Sequence, residues 1–230
     1  MLAILSDVHA NLPALQAVLD HARSRGCTRY LSLGDVVGYG AQPGQCIELL
    51  QALGVTNILG NHDGYVVRNE DCPRSRHVSR ILAFQRSVLR PGHVDWLRRS
   101  SNLLRDGNRL FLHGGPEDPL DQYLYDVSRA TLPEGVRWLF AGHTHVQAHA
   151  DFGDGCFCNP GSVGQPRDGD WRAGYATFDG DRLELHRVPY DVEQAAAAMR
   201  AAGFESFYYE NLFQGAQLGG RVDRITVHHA

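Results

Sequence analysis

Residues 2–11, Leu2-Ala3-Ile4-Leu5-Ser6-Asp7-Val8-His9-Ala10-Asn11, decide how this chain is read. Four apolar residues without a break suit a strand buried on both faces, because a half-exposed strand would alternate. The run then stops at a carboxylate and an imidazole. Asn11 can cap a helix whose Leu12, Leu15, Val18, Leu19 and Ala22 share one stripe, and Pro13 is tolerated in a first turn that needs no amide donor. The rhythm then repeats. Residues 30–33 read as a second strand, followed by Gly34-Asp35, a Gly-rich loop and a helix near 46–53. Residues 55–59 read as a third strand, ending at Gly60-Asn61-His62-Asp63. Strands alternating with helices predict βαβ units and a parallel sheet in this half.

Further along, residues 64–101 read as helical and basic, with Arg68, Arg74, Arg76, Arg80, Arg86, Arg90, Arg98 and Arg99. Such a face is either a solvated surface or a rim that attracts phosphate. Residues 110–112, 138–141, 146–150, 155–158 and 175–178 are short and strand-like; a strand near 183–188 and an Ala-rich helix near 192–202 follow. Residues 206–230 carry no clear pattern. Without a linker or internal repeat, residues 1–230 are expected to form one domain.

The composition, 43% hydrophobic and 21% charged, is that of a globular chain. A formal net charge of -4 lacks the basic excess of a dedicated duplex-DNA binder. The 22 basic residues are all Arg, which reads as coding bias. Cys27, Cys46, Cys72, Cys156 and Cys158 are odd in number and scattered, so reduced structural thiols are expected. With neither a basic leader nor a long apolar segment at the start, a cytoplasmic, membrane-free protein is expected.

Five short segments carry the chemistry, each just after an expected strand: Asp7-Val8-His9, Gly34-Asp35, Gly60-Asn61-His62-Asp63, His113-Gly114 and Gly142-His143-Thr144-His145. Taken singly they read as turns, a helix cap or a structural histidine. Gly-His-x-His says more, because alternate residues of an extended segment present two imidazoles to one side. Together they supply seven oxygen or nitrogen ligands for which joint service as caps makes no sense, and loops after strands are where α/β folds gather ligands.

In order and spacing these segments resemble the calcineurin-like metallophosphoesterase superfamily, whose motifs read D-x-H, G-D, G-N-H-[DE], H and G-H-x-H. The stretches SDVHANLPAL, GDVVGYG and NPGSVGQPR are similar to its small bacterial diadenosine-tetraphosphatase-like and phosphodiesterase subgroup. The resemblance implies an α/β fold, a four-layer α/β/β/α sandwich of two mixed β-sheets flanked by helices. It implies one divalent metal ion on Asp7, His9, Asp35 and His145, and a second on Asp35, Asn61, His113 and His143. Carboxylate, amide and imidazole donors suit Mn²⁺, Fe²⁺ or Zn²⁺, with Mn²⁺ favoured. The implied activity is hydrolysis of small phosphomono- or phosphodiesters, nucleotides included, by a metal-bridging hydroxide, with His62 as the acid that protonates the leaving oxygen.

Relatives that act on phosphoproteins carry G-D-x-x-D-R-G, where this chain has Gly38 and Tyr39 in place of the second Asp and the Arg, and Leu59 where they have another Arg. Two phosphate clamps are therefore absent, and phosphoprotein substrates are not expected. Arg167 is the candidate replacement clamp, Tyr39 a candidate substrate contact, and Asp63 the group beside His62 that could orient it. A nuclease and a metal-free protein-interaction scaffold are the competing readings. The acidic balance counts against the first, and the complete ligand set against the second.

Overall fold

In the computed structural model, which describes residues 1–229, the apolar run becomes β1 (Leu2–Leu5) and Asn11 caps α1 (Leu12–Ser24), accepting from the Ala14 amide at 3.2 Å. The next units are β2 (Arg29–Ser32), α2 (Pro43–Ala52), β3 (Thr56–Asn57) and α3 (Asn61–Arg68). The basic segment continues as α4 (Arg76–Val88) and α5 (Pro91–Arg98). A strand-rich part follows: β4 (Leu103–Asp106), β5 (Arg109–Leu112), β6 (Asp126–Ser128), β7 (Trp138–Phe140), β8 (Gln147–Asp151), β9 (Cys156–Pro160), β10 (Ala173–Asp179) and β11 (Arg182–Val188). Then come α6 (Val192–Ala201) and, within the patternless tail, two 3₁₀ turns and β12 (Thr226–His228). Ala230, the last residue of that tail, lies outside the described residues.

Two five-stranded mixed sheets form, ordered β11-β10-β1-β2-β3 and β4-β5-β7-β9-β8. β1, β2 and β3 run parallel, as do β5, β7 and β9, while β10, β11, β4 and β8 enter antiparallel. The unbroken apolar runs now have their reason: both sheets are covered on both faces. Ile4, Leu31, Phe178, Phe111, Phe140, Cys156 and Cys158 meet in the core between the sheets. Ala3 and Leu5 turn the other way onto the helices, and Leu110, Leu112 and Phe157 onto the far side of the second sheet. Phe111 and Phe140 stack at 4.7 Å, and the Trp138 ring meets Phe178 of the opposite sheet edge-on at 4.9 Å. Each fully buried aromatic contributes roughly 1.5–3 kcal/mol by leaving water.

The fold class is the expected α/β sandwich of two mixed sheets flanked by helices, with one difference in its outer layers. Over the second sheet the cover comes from a 3₁₀ turn at Arg129–Thr131 and the parallel ribbon of β6 and β12, whose Val127 and Val227 join its core. All five cysteines are free thiols, and four of them are buried. Among the described residues, no helix is long and apolar enough to cross a membrane.

Register places the loops. Ile4 pairs with Leu31, and beyond the strands the Asp7 amide donates to the Gly34 carbonyl at 2.9 Å. In the second sheet Phe111 pairs with Phe140, and the Gly142 amide donates to the His113 carbonyl at 2.9 Å. The C-terminal ends of the parallel strands of both sheets therefore deliver their polar loops to one place.

Candidate metal centre

Asp7, His9, Asp35, Asn61, His113, His143 and His145 converge there, each no more than 2% exposed. His9 Nε2 lies 3.0 Å from His145 Nε2, and His145 Nε2 lies 3.2 Å from Asp7 Oδ1. His113 Nε2 lies 3.1 Å from both His143 Nδ1 and Asn61 Oδ1, and 3.4 Å from Asp35 Oδ2. Asp35 stands between the two groups, with Oδ2 3.8 Å from His9 Nε2. Asp7–His9–His145 and Asp35–His113–His143 each bring their ligand atoms within 4.8 Å of one another.

Three of the four imidazoles are turned by a hydrogen bond on the far side. His9, His113 and His145 direct Nδ1 at the carbonyls of Val37 (2.7 Å), Leu33 (3.0 Å) and Gln165 (2.6 Å). An Nδ1–H donated to a carbonyl leaves Nε2 with its lone pair, the form that binds a cation. Lone pairs therefore face lone pairs at 3.0 Å, while the buried oxygens Asp7 Oδ1 and Asp35 Oδ2 accept no hydrogen bond. Buried unpaired acceptors facing bare nitrogens are costly in the polypeptide alone and are what cation ligands look like. The residues fit divalent metal.

Backbone strain is concentrated in the same place. Asp7, His9, Asp35, His143 and His145 all have left-handed φ between 49° and 65°, and among the described residues only Ala10, Tyr39 and Asn69 share this conformation outside glycine. Each costs on the order of 1–3 kcal/mol and persists because neighbouring bonds over-determine it. Ser6 donates to Asp7 Oδ2 at 2.6 Å, and the Ser162 hydroxyl to the Asp7 carbonyl at 2.7 Å. The His62 amide donates to Asp35 Oδ1 at 2.8 Å. That contact requires Gly60, where a Cβ would stand 2.1 Å from Asp35 Oδ1.

The metal-free charges respond to this packing. Burial works to lower His113, but the Asp35 carboxylate, with Asp7 and Asp63, raises it from 6.5 to about 9. Burial, helped by Arg167, pushes His62 down to about 4. Because the folded value of His113 is the raised one, its stabilisation is complete below about pH 6.5 and is lost as pH rises through about 9. The thermal midpoint of metal-free protein should therefore fall across that window. A cation must displace the same proton, so binding at pH 7 should release protons, read as a dependence of calorimetric heat on buffer ionisation enthalpy. A buffer-independent heat would contradict the assignment.

A cavity of about 450 Å³ opens beside the cluster, bordered by Asn61, His62, Tyr39, Arg74, Tyr123 and Arg167. That volume suits a small ligand. Arg167 is 5% exposed; it donates to the Tyr39 hydroxyl and to Gln165 Oε1, each at 3.0 Å, and its Nε is buried without a partner. The basic segment contributes less than its charge suggests. Arg68, Arg80, Arg86 and Arg98 pair with Glu70, Glu205, Asp71 and Asp95, and of this segment's arginines Arg74 borders the cavity.

Comparison with known proteins agrees. The family model described as the calcineurin-like phosphoesterase superfamily domain matches residues 1–182. The chain belongs to that superfamily. An uncharacterised protein of Methanocaldococcus jannaschii is 30% identical over 94% of this chain and 98% of its own length. Phosphodiesterase YfcE of Escherichia coli K12 is 29% identical over 80% of this chain and 90% of its own. Among solved structures, a metallophosphoesterase from Sphaerobacter thermophilus is 34% identical with a TM-score of 0.80, covering 93% of this chain and 99% of that one. A Pyrococcus horikoshii protein shares the fold at 21% identity, with a TM-score of 0.83 over 94% of this chain and all of its own.

Asp63, expected to orient His62, does not do so. Asp63 turns away from His62: its oxygens accept from the Val37 amide at 3.1 Å and the Gly60 amide at 3.3 Å, tying two loops together. Among the described residues no carboxylate orients the outer nitrogen of His62, whose buried Nδ1 has no partner. Instead the ring is packed between His9 and Tyr39, with centroids 5.0 Å from each. Gly38 permits this, since a Cβ there would lie 2.3 Å from His62 Nδ1.

Three supports escaped the sequence reading. Gln85 on α4 accepts from the Gly38 amide at 2.7 Å and donates to the Gly40 carbonyl at 2.6 Å, fixing the loop that carries Tyr39. Asn159 donates to the Gly142 carbonyl at 2.8 Å and to Thr144 Oγ1 at 2.9 Å, bracing the Gly-His-x-His turn. Asp121 stands 3.4 Å from His143. The first two gave no chemical signal, because an amide that braces a backbone can come from anywhere in the chain.

Proposed function

We propose that this protein is a cytoplasmic hydrolase of small phosphomono- or phosphodiesters, nucleotide-type esters foremost, that works with two divalent cations. The observation carrying the proposal is Asp35: a buried carboxylate whose Oδ2 accepts no hydrogen bond lies between two sets of imidazoles, 3.4 Å from His113 Nε2 and 3.8 Å from His9 Nε2. Asp7, His9, Asp35 and His145 would hold one ion, and Asp35, Asn61, His113 and His143 the other. Two carboxylates, an amide and four imidazoles suit Mn²⁺ first, then Fe²⁺ or Zn²⁺. Such ions, when bound, supply an activated water and neutralise phosphoryl oxygens.

The remaining work falls to side chains of the cavity. Arg167, buried and without a carboxylate partner, is disposed to grip a phosphate in fork geometry, with Tyr39 holding the guanidinium in place. His62, held below its ordinary value by burial, gains proton affinity when an anionic phosphate arrives beside it, which suits it to donate to the departing oxygen. The activity named for YfcE supports the phosphodiester branch. A nuclease has less behind it, for want of basic excess, and a scaffold would have no use for bare buried carboxylates.

The test is metal-stripped protein reloaded with Mn²⁺, Fe²⁺ or Zn²⁺ and assayed on p-nitrophenyl phosphate and its bis-ester. Turnover with two ions per chain is expected; no turnover with any of the three would reject the proposal. Arg167→Ala is expected to raise KM roughly 10–100-fold, the worth of a charged hydrogen bond, with metal content unchanged. An unaltered KM would remove Arg167 from the substrate.

A further inference from the structure

Four imidazoles line the metal centre, and they are not oriented alike. Each nitrogen that faces the cluster must keep its lone pair, so the opposite nitrogen carries hydrogen and needs an acceptor. His9, His113 and His145 find theirs in the carbonyls of Val37, Leu33 and Gln165. His143 is reversed. It presents Nδ1 to His113 Nε2 at 3.1 Å, and its Nε2 points outward, buried and without a hydrogen bond.

One carboxylate lies opposite that nitrogen. Asp121 Oδ1 is 3.4 Å from His143 Nε2, a little long for a hydrogen bond. Asp121 is itself gripped by Arg74 in a two-pronged pair at 2.6 and 2.7 Å. The ring of Tyr123 lies against the His143 ring at 3.8 Å, and the Arg74 guanidinium sits 5.4 Å from the Tyr123 centroid. The four side chains close a circuit that fixes the carboxylate and the imidazole relative to each other. The loop after His113 is built to return Asp121 here: the Gly114 amide donates to the Pro119 carbonyl at 2.7 Å and the Gly115 amide to the Asp118 carbonyl at 3.0 Å. A Cβ on Gly114 would come within 2.6 Å of the Asp118 oxygen, so the curl needs glycine.

We propose that Asp121, braced by Arg74, is the positioning residue of His143, supplying the acceptor that the other three histidines take from the backbone. It acts on one half of the cluster only, because His143 belongs with Asp35, His113 and Asn61 and not with Asp7, His9 and His145. The inference rests on the two-cation proposal and adds to it a residue outside the five motifs. A carboxylate behind a ligand histidine is worth about 10–100-fold in metal affinity.

The experiment is a calorimetric Mn²⁺ titration of metal-stripped wild type, Asp121→Ala and Asp121→Asn. Asp121 and Arg74 are partly solvated, at 30% and 45% of their side chains, so both variants should fold; circular dichroism checks this. Wild type is expected to bind two ions. In Asp121→Ala one ion should weaken roughly 10–100-fold while the other stays within a few-fold, and Asp121→Asn, which keeps an oxygen acceptor, should recover part of the loss. Two ions at wild-type affinity in Asp121→Ala would overturn the assignment, as would equal weakening of both. A wild type that binds fewer than two ions would instead refute the two-cation proposal, before the variants are considered.

Discussion

Asp35→Asn is expected to lower kcat/KM by about a thousandfold or more and to cut metal content from two ions to one or none, because among the described residues this carboxylate alone stands between the two proposed cation sites. Its two oxygens have separate duties. Oδ1 takes the His62 amide at 2.8 Å, and Oδ2 is left bare toward His9 and His113. Asparagine keeps the shape, but one of its ends is an NH₂ that must point either at the amide or into the imidazole lone pairs. The variant carries its own control for mis-folding. His113 owes its raised value, about 9, chiefly to Asp35 among the charges around it, so the fall in thermal midpoint between pH 6.5 and 9 should flatten in Asp35→Asn while the fold persists. Two bound ions together with wild-type rates would remove Asp35 from the centre of the reaction.

His62→Ala should keep both ions and lose turnover in proportion to the leaving group's need for a proton. With an alkyl phosphate the loss should be roughly 10²–10⁴-fold, the usual worth of a positioned acid, whereas p-nitrophenolate departs without help and should show little. His62 borders the cavity next to Asn61, and among the described residues no carboxylate lies on its Nδ1. Aromatic packing against His9 and Tyr39 holds it, so Tyr39→Ala should share part of the defect. Equal losses with good and poor leaving groups would reduce His62 to a loop-ordering residue.

Elements buried on both faces were readable from residue order. β1, β5, β7 and β9 appear close to where unbroken apolar runs place them, as do α1 with its Asn11 cap and α6. β3 is shorter than the run at 55–59 suggests: it pairs only with β2, as the edge of its sheet, and Ile58 leaves to bridge Ser101. β4, β6 and β12 escaped notice for a related reason. β4 is exposed along its whole length, and β6 and β12 find each other across about a hundred residues, so neither shows the pattern of its partner.

Residue order by itself determined the chemistry available to this protein: seven candidate oxygen and nitrogen ligands, each stationed just beyond an apolar run, with glycine where backbone must pass close. Their proximity to one another, the nitrogen that each imidazole offers, the turning of Asp63 toward backbone amides and the return of Asp121 to His143 were decided only by tertiary structure. The reason is physical. A local pattern records which face of a strand is buried, whereas an imidazole's direction is set by a hydrogen bond to a residue 20, 28 or 80 positions away.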